Sequence, residues 1–353
     1  MTGLTRFGAS QDDVAALLDG LPRYRVDQVW HGLYERLATP EELTALPKAL
    51  RTEVAQALPL ALEVVTERSS DRGETVKWLW ALADGTQVET VLMHYAGRST
   101  VCVSSQAGCA MGCTFCATGQ AGFDRHLTVG EIVEQVVRAA RRARDDGRRL
   151  SNVVFMGMGE PLANYEPTWT AVERLHADVG LSARHLTVST VGIVPGIRRL
   201  AAEALPVNLA VSLHAADDQL RDELVPINRR YPLSTLMDAC AGYLLAKGRR
   251  LSFEWALIDG VNDRPIDAQQ LVERSGSLPL PAHVNLIPLN PTPGYAVRGS
   301  SPRRVRDFRD LLRAGGVNAT VRRTRGTEID AACGQLRATQ VKLRSRQAEQ
   351  HRR

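Results

Sequence analysis

The sequence predicts an α/β fold: a partial (β/α)6 barrel carrying a small N-terminal helical domain and a β extension. Three observations point there. Beyond Ser99, short apolar runs alternate with longer helical ones, the pattern of parallel strands joined by right-handed crossovers. Residues 62–95 are rich in β-branched and aromatic side chains broken by turn residues. Residues 1 to about 60 place apolar side chains at helical spacing.

Taken in order, DDVAALLDGL and VDQVWHGLYERL are expected as short helices separated by Gly and Pro, and Pro40 with Glu41 and Glu42 as the start of another. LEVVTERSS, TVKWLWAL and QVETVLMHY are three strands of a meander, with turns at DRGE and ADGT. Barrel strands are expected at 99–105, 152–158, 185–190, 207–213, 250–258 and 283–289, with 318–324 a candidate seventh. Between them GEIVEQVVRAARRARDD, PTWTAVERLHADVG, STLMDACAGYLLAKG and SPRRVRDFRDLLRAGG read as helices. Thr128 and Glu131 stand three apart, a capping-box pattern. The basic end, KLRSRQAEQHRR, reads as a disordered tail. The expected divisions are 1–60 (helical accessory domain), 61–98 (β extension), 99–325 (barrel) and 326–353 (C-terminal loop and tail).

Composition narrows the class. Apolar content of 44% and charge of 24% are ordinary for a globular protein. No uncharged apolar stretch approaches the about 18 residues a membrane span needs, and MTGLTRFGASQDDVAALL lacks the features of a secretory signal. A cytoplasmic location without membrane association is therefore expected. The net charge of +5 is uneven: residues 298–353 hold 15 Lys/Arg against 5 Asp/Glu, while the preceding 297 residues hold 29 against 34. A concentrated basic segment suits a polyanionic partner; a solvated basic helix and tail accounts for the charge equally well.

Six cysteines in a reducing compartment stay free unless a cofactor or catalysis claims them. Four of them, Cys102, Cys109, Cys113 and Cys116, fall within fifteen residues. Cys109-Ala-Met-Gly-Cys113-Thr-Phe-Cys116 follows the first barrel strand, so three thiolates can converge from one βα-loop. Iron–sulfur clusters are held by thiolates, usually four; three leave one iron open to a substrate. Structural zinc is the alternative, but it asks for four closed ligands, and neither His126 nor Cys102 stands at an ordinary zinc-ribbon spacing. In Gly157-Met158-Gly159-Glu160-Pro161 the glycines permit close backbone approach, and Glu160 can accept hydrogen bonds from a cationic amine. Ser189, Ser212, Leu213, His214 and Asn290 fall at the C-terminal ends of expected strands, where a βα-barrel builds its site. Taken alone, Cys333 reads as a buried small hydrophobe, Glu89 as a surface strand residue, and Cys240 as core.

The CxxxCxxC loop resembles that of the radical S-adenosylmethionine (SAM) superfamily. The wider segment CVSSQAGCAMGCTFCATGQAGFDRHLTVGEIVEQV is similar to the RlmN/Cfr family of RNA adenine methyltransferases. The likeness continues through GMGEPL, STVGIVPGI, VSLHA, NLIPLNP and RTRGTEIDAACGQL, spans roughly residues 65–340, and is closer to the RlmN branch than to Cfr. The resemblance implies a radical SAM barrel with a [4Fe-4S] cluster on Cys109, Cys113 and Cys116. It implies two SAM molecules per turnover, with Gly159 and Glu160 on the SAM amino group and Ser189, Ser212, Leu213, His214 and Asn290 as further contacts. It makes Cys333 the methyl carrier, Cys102 the second catalytic cysteine, which closes a disulfide with Cys333, and Glu89 the proton acceptor, with Cys102 as a rival for that proton. The implied partners are 23S rRNA and tRNA and a flavodoxin- or ferredoxin-like electron donor, with the chain acting as a monomer.

That chemistry has a physical rationale. Adenine C2 lies between two ring nitrogens, is electron-poor, and cannot attack the SAM methyl group as a nucleophile; the implied product is C2-methyladenosine, where the Cfr branch modifies C8. The resemblance turns the basic C-terminal part, including Arg322, Arg323 and Arg325, into an RNA-facing candidate, and makes the N-terminal helical region, with Arg23, Arg25 and Trp30, a second. The target base must leave its stack to enter the barrel mouth.

Overall fold

The computed structural model describes residues 4–290, 292, 297–322, 325–331 and 335–336. The chain opens with helices α1 (Gln11–Leu17), α2 (Tyr24–Tyr34) and α3 (Lys48–Ala57). The helix expected at Pro40 is a single 3-10 turn, Pro40–Glu42, because Leu43 leaves helical geometry; the next helix starts only at Lys48. Strands β1 (Glu63–Ser70), β2 (Thr75–Ala81) and β3 (Gln87–Tyr95) form the expected antiparallel meander.

The remaining elements alternate. They are β4 (Arg98–Cys102), β5 (Gln106–Gly108), α4 (Ala117–Gln120), β6 (Phe123–His126), α5 (Val129–Asp145), β7 (Leu150–Phe155), α6 (Tyr165–Ala177), β8 (Leu186–Thr190) and α7 (Val194–Ala202). Then follow β9 (Asn208–Ser212), α8 (Asp218–Leu224), α9 (Leu233–Lys247), β10 (Leu251–Leu257), α10 (Pro265–Gly276), β11 (His283–Pro288), α11 (Pro302–Ala314) and β12 (Asn318–Val321). Among the described residues one ten-stranded sheet runs β1-β2-β3-β4-β7-β8-β9-β10-β11-β12. From β4 to β12 every neighbouring pair is parallel, while β3 joins β4 antiparallel, so the meander extends the barrel sheet. The candidate seventh strand exists as β12. β8 ends at Thr190 as expected, and the other barrel strands end one to three residues earlier than expected, because the polar and glycine-rich residues after those apolar runs turn into the site.

Burial explains the elements. All seven residues of β10 are buried, as a parallel strand covered on both faces requires. Helix α5 is capped as expected: Thr128 Oγ1 accepts from the Glu131 amide at 3.3 Å, and Glu131 returns a carboxylate oxygen to the Thr128 amide at 2.8 Å. Glu134 on the same helix accepts from the amides of Ala61 and Leu62, tying the segment before β1 to the barrel. Gly8 and Gly130 meet so closely that a Cβ on Gly130 would stand 2.7 Å from the Gly8 nitrogen.

Candidate active site

The cysteine loop spans a small hairpin. β5 and β6 pair antiparallel, Gln106 opposite His126, and the Cys109 amide donates to Gly122 O at 2.8 Å. Between these strands Cys109, Cys113 and Cys116 line one cavity at the C-terminal end of the barrel strands, about 1050 Å³ including its open mouth. Burial pushes the Cys109 thiol up to about 12 and Cys113 well above the ordinary thiol range. A buried thiol of this kind ionises only when a cation takes the charge, as bound iron does. Among the described residues no group of three His, Cys, Asp or Glu side chains suits a single metal ion. The donor set fits a cluster: three sulfurs on one loop facing one cavity, with Phe115 packed between them against Ala215, Leu224 and Val225.

The glycine loop lines the same cavity. Gly157 N donates to Val103 O at 3.0 Å, Met158 N to Ser104 Oγ at 2.9 Å and Glu160 N to Gln106 Oε1 at 2.8 Å, so the loop is laid along the residues after β4. Its glycines are obligatory: a Cβ at Gly157 would meet Val103 O at 2.6 Å, and Gly159 has φ +101° with the Gln106 nitrogen 2.7 Å from where its Cβ would stand. The Glu160 carboxylate is buried and accepts from the Leu162 and Val191 amides. Burial raises its pKa to about 7 against those two bonds. Among the described residues no salt bridge reaches it, so a ligand ammonium would complete the charge.

His214 completes the wall in an unusual backbone state, φ +60°. Its Nδ1 accepts from the Ala256 amide at 2.9 Å, which leaves the hydrogen on Nε2, and Asn262 Nδ2 holds its carbonyl at 2.8 Å. Burial, then the nearby Arg221 guanidinium, lowers its pKa to about 3, so the ring is neutral. Arg221 is itself buried and donates to Leu213 O, Ser212 O and Val191 O, stapling the ends of β8 and β9 together.

Of the anticipated residues, Cys109, Cys113, Cys116, Gly159, Glu160, Ser189, Ser212, His214 and Asn290 line this one cavity. Leu213 does not: its side chain turns into the apolar core, and it meets the site only through the backbone bonds that hold the strand end. Glu89 and Cys102 stand apart from the cavity lining, on the inner face of the sheet. The strand register pairs Cys102 with Val91, so it lies diagonally across from Glu89 on that face. Cys102 is buried at the end of β4. Cys333 lies outside the described residues, but its flanks are described: Asp330 O accepts from Lys77 Nζ at 3.1 Å, and Leu336 lines the cavity. Cys240 is fully buried on α9.

One of the RNA-facing candidates needs correction. Trp30 is core: it is buried, stacks near Tyr34 and donates to Asp178 Oδ1 at 3.0 Å, joining α2 to the end of α6. Arg25 is half-buried and caps Ala45 O, leaving Arg23 exposed. Arg325 donates to His94 O at 2.6 Å and lies over the Tyr95 ring, so it secures its own segment. Arg322 lines the cavity, and Arg323 lies outside the described residues. Two residues went unanticipated, Glu254 in the cavity wall and Lys77 beside Glu89. Both were visible as single charges inside otherwise apolar strands, SFEWAL and TVKWLW.

Comparison with known proteins gives consistent likenesses. The radical SAM superfamily profile matches residues 103–271. A protein of Parafrankia sp. (strain EAN1pec) described as a probable dual-specificity RNA methyltransferase RlmN is 54% identical over 346 residues, 93% of this chain and 89% of that one. A protein of Mycobacterium ulcerans with the same description is 54% identical, covering 92% and 91%. The crystal structure of a radical SAM methyltransferase from Sphaerobacter thermophilus superposes with a TM-score of 0.91 at 51% identity, over 95% of this chain and 99% of that one.

Proposed function

The chain belongs to the RlmN family of radical SAM RNA methyltransferases, and from that premise we propose that it methylates C2 of a specific adenosine in 23S rRNA and in tRNA, using Cys333 as methyl carrier. The observation that carries this reading is the course of the C-terminal segment. Before Cys333 in the chain, Asp330 is held through Lys77 beside Glu89; after it, Leu336 lines the cavity that holds the three thiols. In this reading a carrier cysteine between those anchors in the sequence would serve both the SAM cavity and the proton acceptor.

Each residue has a task in this scheme. Cys109, Cys113 and Cys116 would hold a [4Fe-4S] cluster beside the SAM site. Glu160 takes the SAM ammonium, Gly159 lets it approach, and Ser189, Ser212, His214, Asn290 and the Leu213 backbone shape the rest of the pocket. The Cys333 thiolate first accepts a methyl group from one SAM. When bound, the reduced cluster and a second SAM supply a 5′-deoxyadenosyl radical, at the expense of an electron from a flavodoxin- or ferredoxin-like donor. The S-methyl group of Cys333 gives up a hydrogen atom, and the resulting carbon radical adds to the electron-poor C2. Glu89 removes the ring proton, a role open to a carboxylate within hydrogen-bond reach. The Cys102 thiolate then attacks the Cys333 sulfur; as the S–S bond forms, the carbon–sulfur bond breaks with its electron pair going to the CH2 carbon. A proton completes the methyl group, the unpaired electron would return to the oxidised cluster, and external reductant restores both thiols.

The deciding experiment is mass analysis of the Cys333 peptide from anaerobically reconstituted protein supplied with SAM. One added methyl group is expected there and is absent in Cys333→Ala. Nucleoside analysis of treated RNA then separates 2-methyladenosine from the 8-methyl isomer; an unmodified Cys333 peptide alongside methylated RNA defeats the carrier scheme.

A further inference from the structure

Below the thiol-lined cavity the barrel lumen opens again. A second cavity, about 1800 Å³ including its open mouth, lies toward the N-terminal ends of the parallel strands, the face away from the cysteine loop. Met156, Glu254 and Arg322 line both cavities, so the two share a floor. Barrel lumens are ordinarily filled by layers of branched apolar side chains. Here inward positions on successive strands are polar instead: Thr100 on β4, Asn152 on β7, Thr187 on β8, Ser252 on β10, Asn285 on β11 and Thr320 on β12. Four arginines stand around the mouth. Arg98 opens β4, Arg184 lies in the 3-10 turn before β8, and Arg249 and Arg250 precede β10. Among the described residues none of the four forms a salt bridge.

Their charges are directed at the lumen. Arg98 sits 4.9 Å from the centre of the Tyr95 ring, itself part of the lining. Arg249 donates to Asn208 Oδ1 at 3.3 Å, and its buried Nε has no hydrogen-bond partner, so the guanidinium is anchored without being saturated. Burial, then the charge of Arg250, lowers the pKa of His283 in the lumen wall to about 4. The one carboxylate among the described lining residues, Glu254, already accepts from Ser252 Oγ and Asn285 Nδ2. A cleft lined by one sign of charge focuses its potential and concentrates counter-ions.

We propose that this lower lumen binds a compact, phosphate-rich anion, its phosphoryl groups held at the mouth by Arg98, Arg184, Arg249 and Arg250 and the rest of the ligand set against the polar ring. Guanidinium forks match phosphate oxygens in pairs. The Thr, Ser and Asn side chains inside offer donors and acceptors without charge, which suits further phosphate oxygens or the hydroxyls of a sugar. The site is concave, whereas helical RNA carries its phosphates on a convex surface, so the ligand is a small molecule. Inorganic polyphosphate and a nucleoside polyphosphate share this chemistry. Neither Glu89 nor Cys333 takes part in it, and no bond is made or broken.

The test is calorimetric titration of full-length, anaerobically reconstituted protein with sodium tripolyphosphate and with UTP, without divalent metal, at about 0.15 M salt. SAM is present to occupy the upper cavity. One equivalent of tripolyphosphate should bind. R184A and R250A should each weaken it by about tenfold or more, the worth of a charged hydrogen bond. Both side chains are exposed and make no hydrogen bond among the described residues, so neither substitution strips an internal contact. R306A, which removes an exposed arginine of α11 outside the lumen, should leave binding unchanged. T187L removes no charge but fills the lumen, and should weaken binding as much as R184A does; T100L asks the same question if T187L does not fold. No binding of either ligand overturns the proposal, as does unaltered affinity in R184A and R250A or an equal loss in R306A. Unchanged affinity in the lumen-filling variant overturns it as well, because the anion then lies outside. With the expected variant pattern, tighter binding of UTP makes the ligand a nucleotide, and equal affinity makes it inorganic polyphosphate; either result supports the site.

Discussion

The Glu160 carboxylate spans from the glycine loop to the end of the neighbouring strand, its Oε2 accepting the Val191 amide at 2.8 Å. One buried side chain thus links the turns after β7 and β8, and its charge waits for a partner. Replacing it with Gln keeps the shape but removes the anion. Losing one member of a buried charge pair costs about 2–5 kcal/mol, so E160Q should weaken SAM binding by about 30-fold or more. Equilibrium dialysis of anaerobically reconstituted protein reads this directly, and an unchanged dissociation constant would remove Glu160 from the ammonium site.

His214 gives a pH prediction of definite sign. Its folded pKa is lowered to about 3, whereas an unfolded histidine titrates near about 6.5. Below that value the unfolded chain takes a proton that the folded one refuses. Stability present at neutral pH is therefore lost progressively as pH falls toward about 3, at up to about 1.4 kcal/mol per pH unit. His283, lowered to about 4 by burial, acts in the same direction, while the raised carboxyls Glu160, Glu254 and Glu134 act in the opposite one. H214N should reduce the acid slope by one proton, seen in denaturant midpoints at pH 7, 6 and 5; an unchanged slope would mean the folded ring does become charged.

The thiols divide by task. Substituting Ala for Cys109, Cys113 or Cys116 should cost the brown iron absorbance and 5′-deoxyadenosine formation together. Cys102→Ala should keep both, because Cys102 lies on β4, outside the cavity lining. It should instead leave RNA covalently attached at Cys333, visible as a protein band shifted by RNA and collapsed by nuclease. Free methylated RNA at wild-type turnover from C102A would contradict the resolving role.

How much of this could be read beforehand depended on range. Parallel strands declare themselves as apolar runs, so the strand ends that carry Ser189, Ser212 and His214 were found within a few residues. The cysteine loop and the Thr128 cap are local patterns, legible for the same reason. Contacts across long separations were not: Lys77 to Asp330 spans 253 positions and Arg325 to His94 spans 231. Basic charge can therefore be counted but not assigned: the sequence offers Arg325 as an RNA-facing candidate, and the structure shows it also bonded to His94 O. Trp30 was misplaced for a related reason, since helical spacing identifies an apolar face without saying what covers it. Helix α7 escaped because Pro195 and Gly196 argue against helix locally, while Pro at the first turn is tolerated and Gly196 packs on Leu162, where a Cβ would come within 2.8 Å.

Two glycines give a stability contrast that tests the packing of the site independently of its chemistry. Gly159 combines a φ of +101° with backbone in the way: a Cβ there would sit 2.7 Å from the Gln106 nitrogen, and Gln106 cannot retreat without releasing Glu160 N, which it holds at 2.8 Å. Gly242 lies inside α9 with nothing within 4 Å of its Cβ position. Alanine at 159 must bear left-handed strain of order 1–3 kcal/mol plus the displacement of a strand-end amide. Alanine at 242 should add about 1 kcal/mol, because helix interiors disfavour glycine by that much. Denaturant titration of the two variants should move the midpoints in opposite directions, and G159A should lose SAM affinity while G242A keeps it. Equal stability in both would mean that the glycine loop rests on the residues after β4 far more loosely than its hydrogen bonds to Val103, Ser104 and Gln106 require.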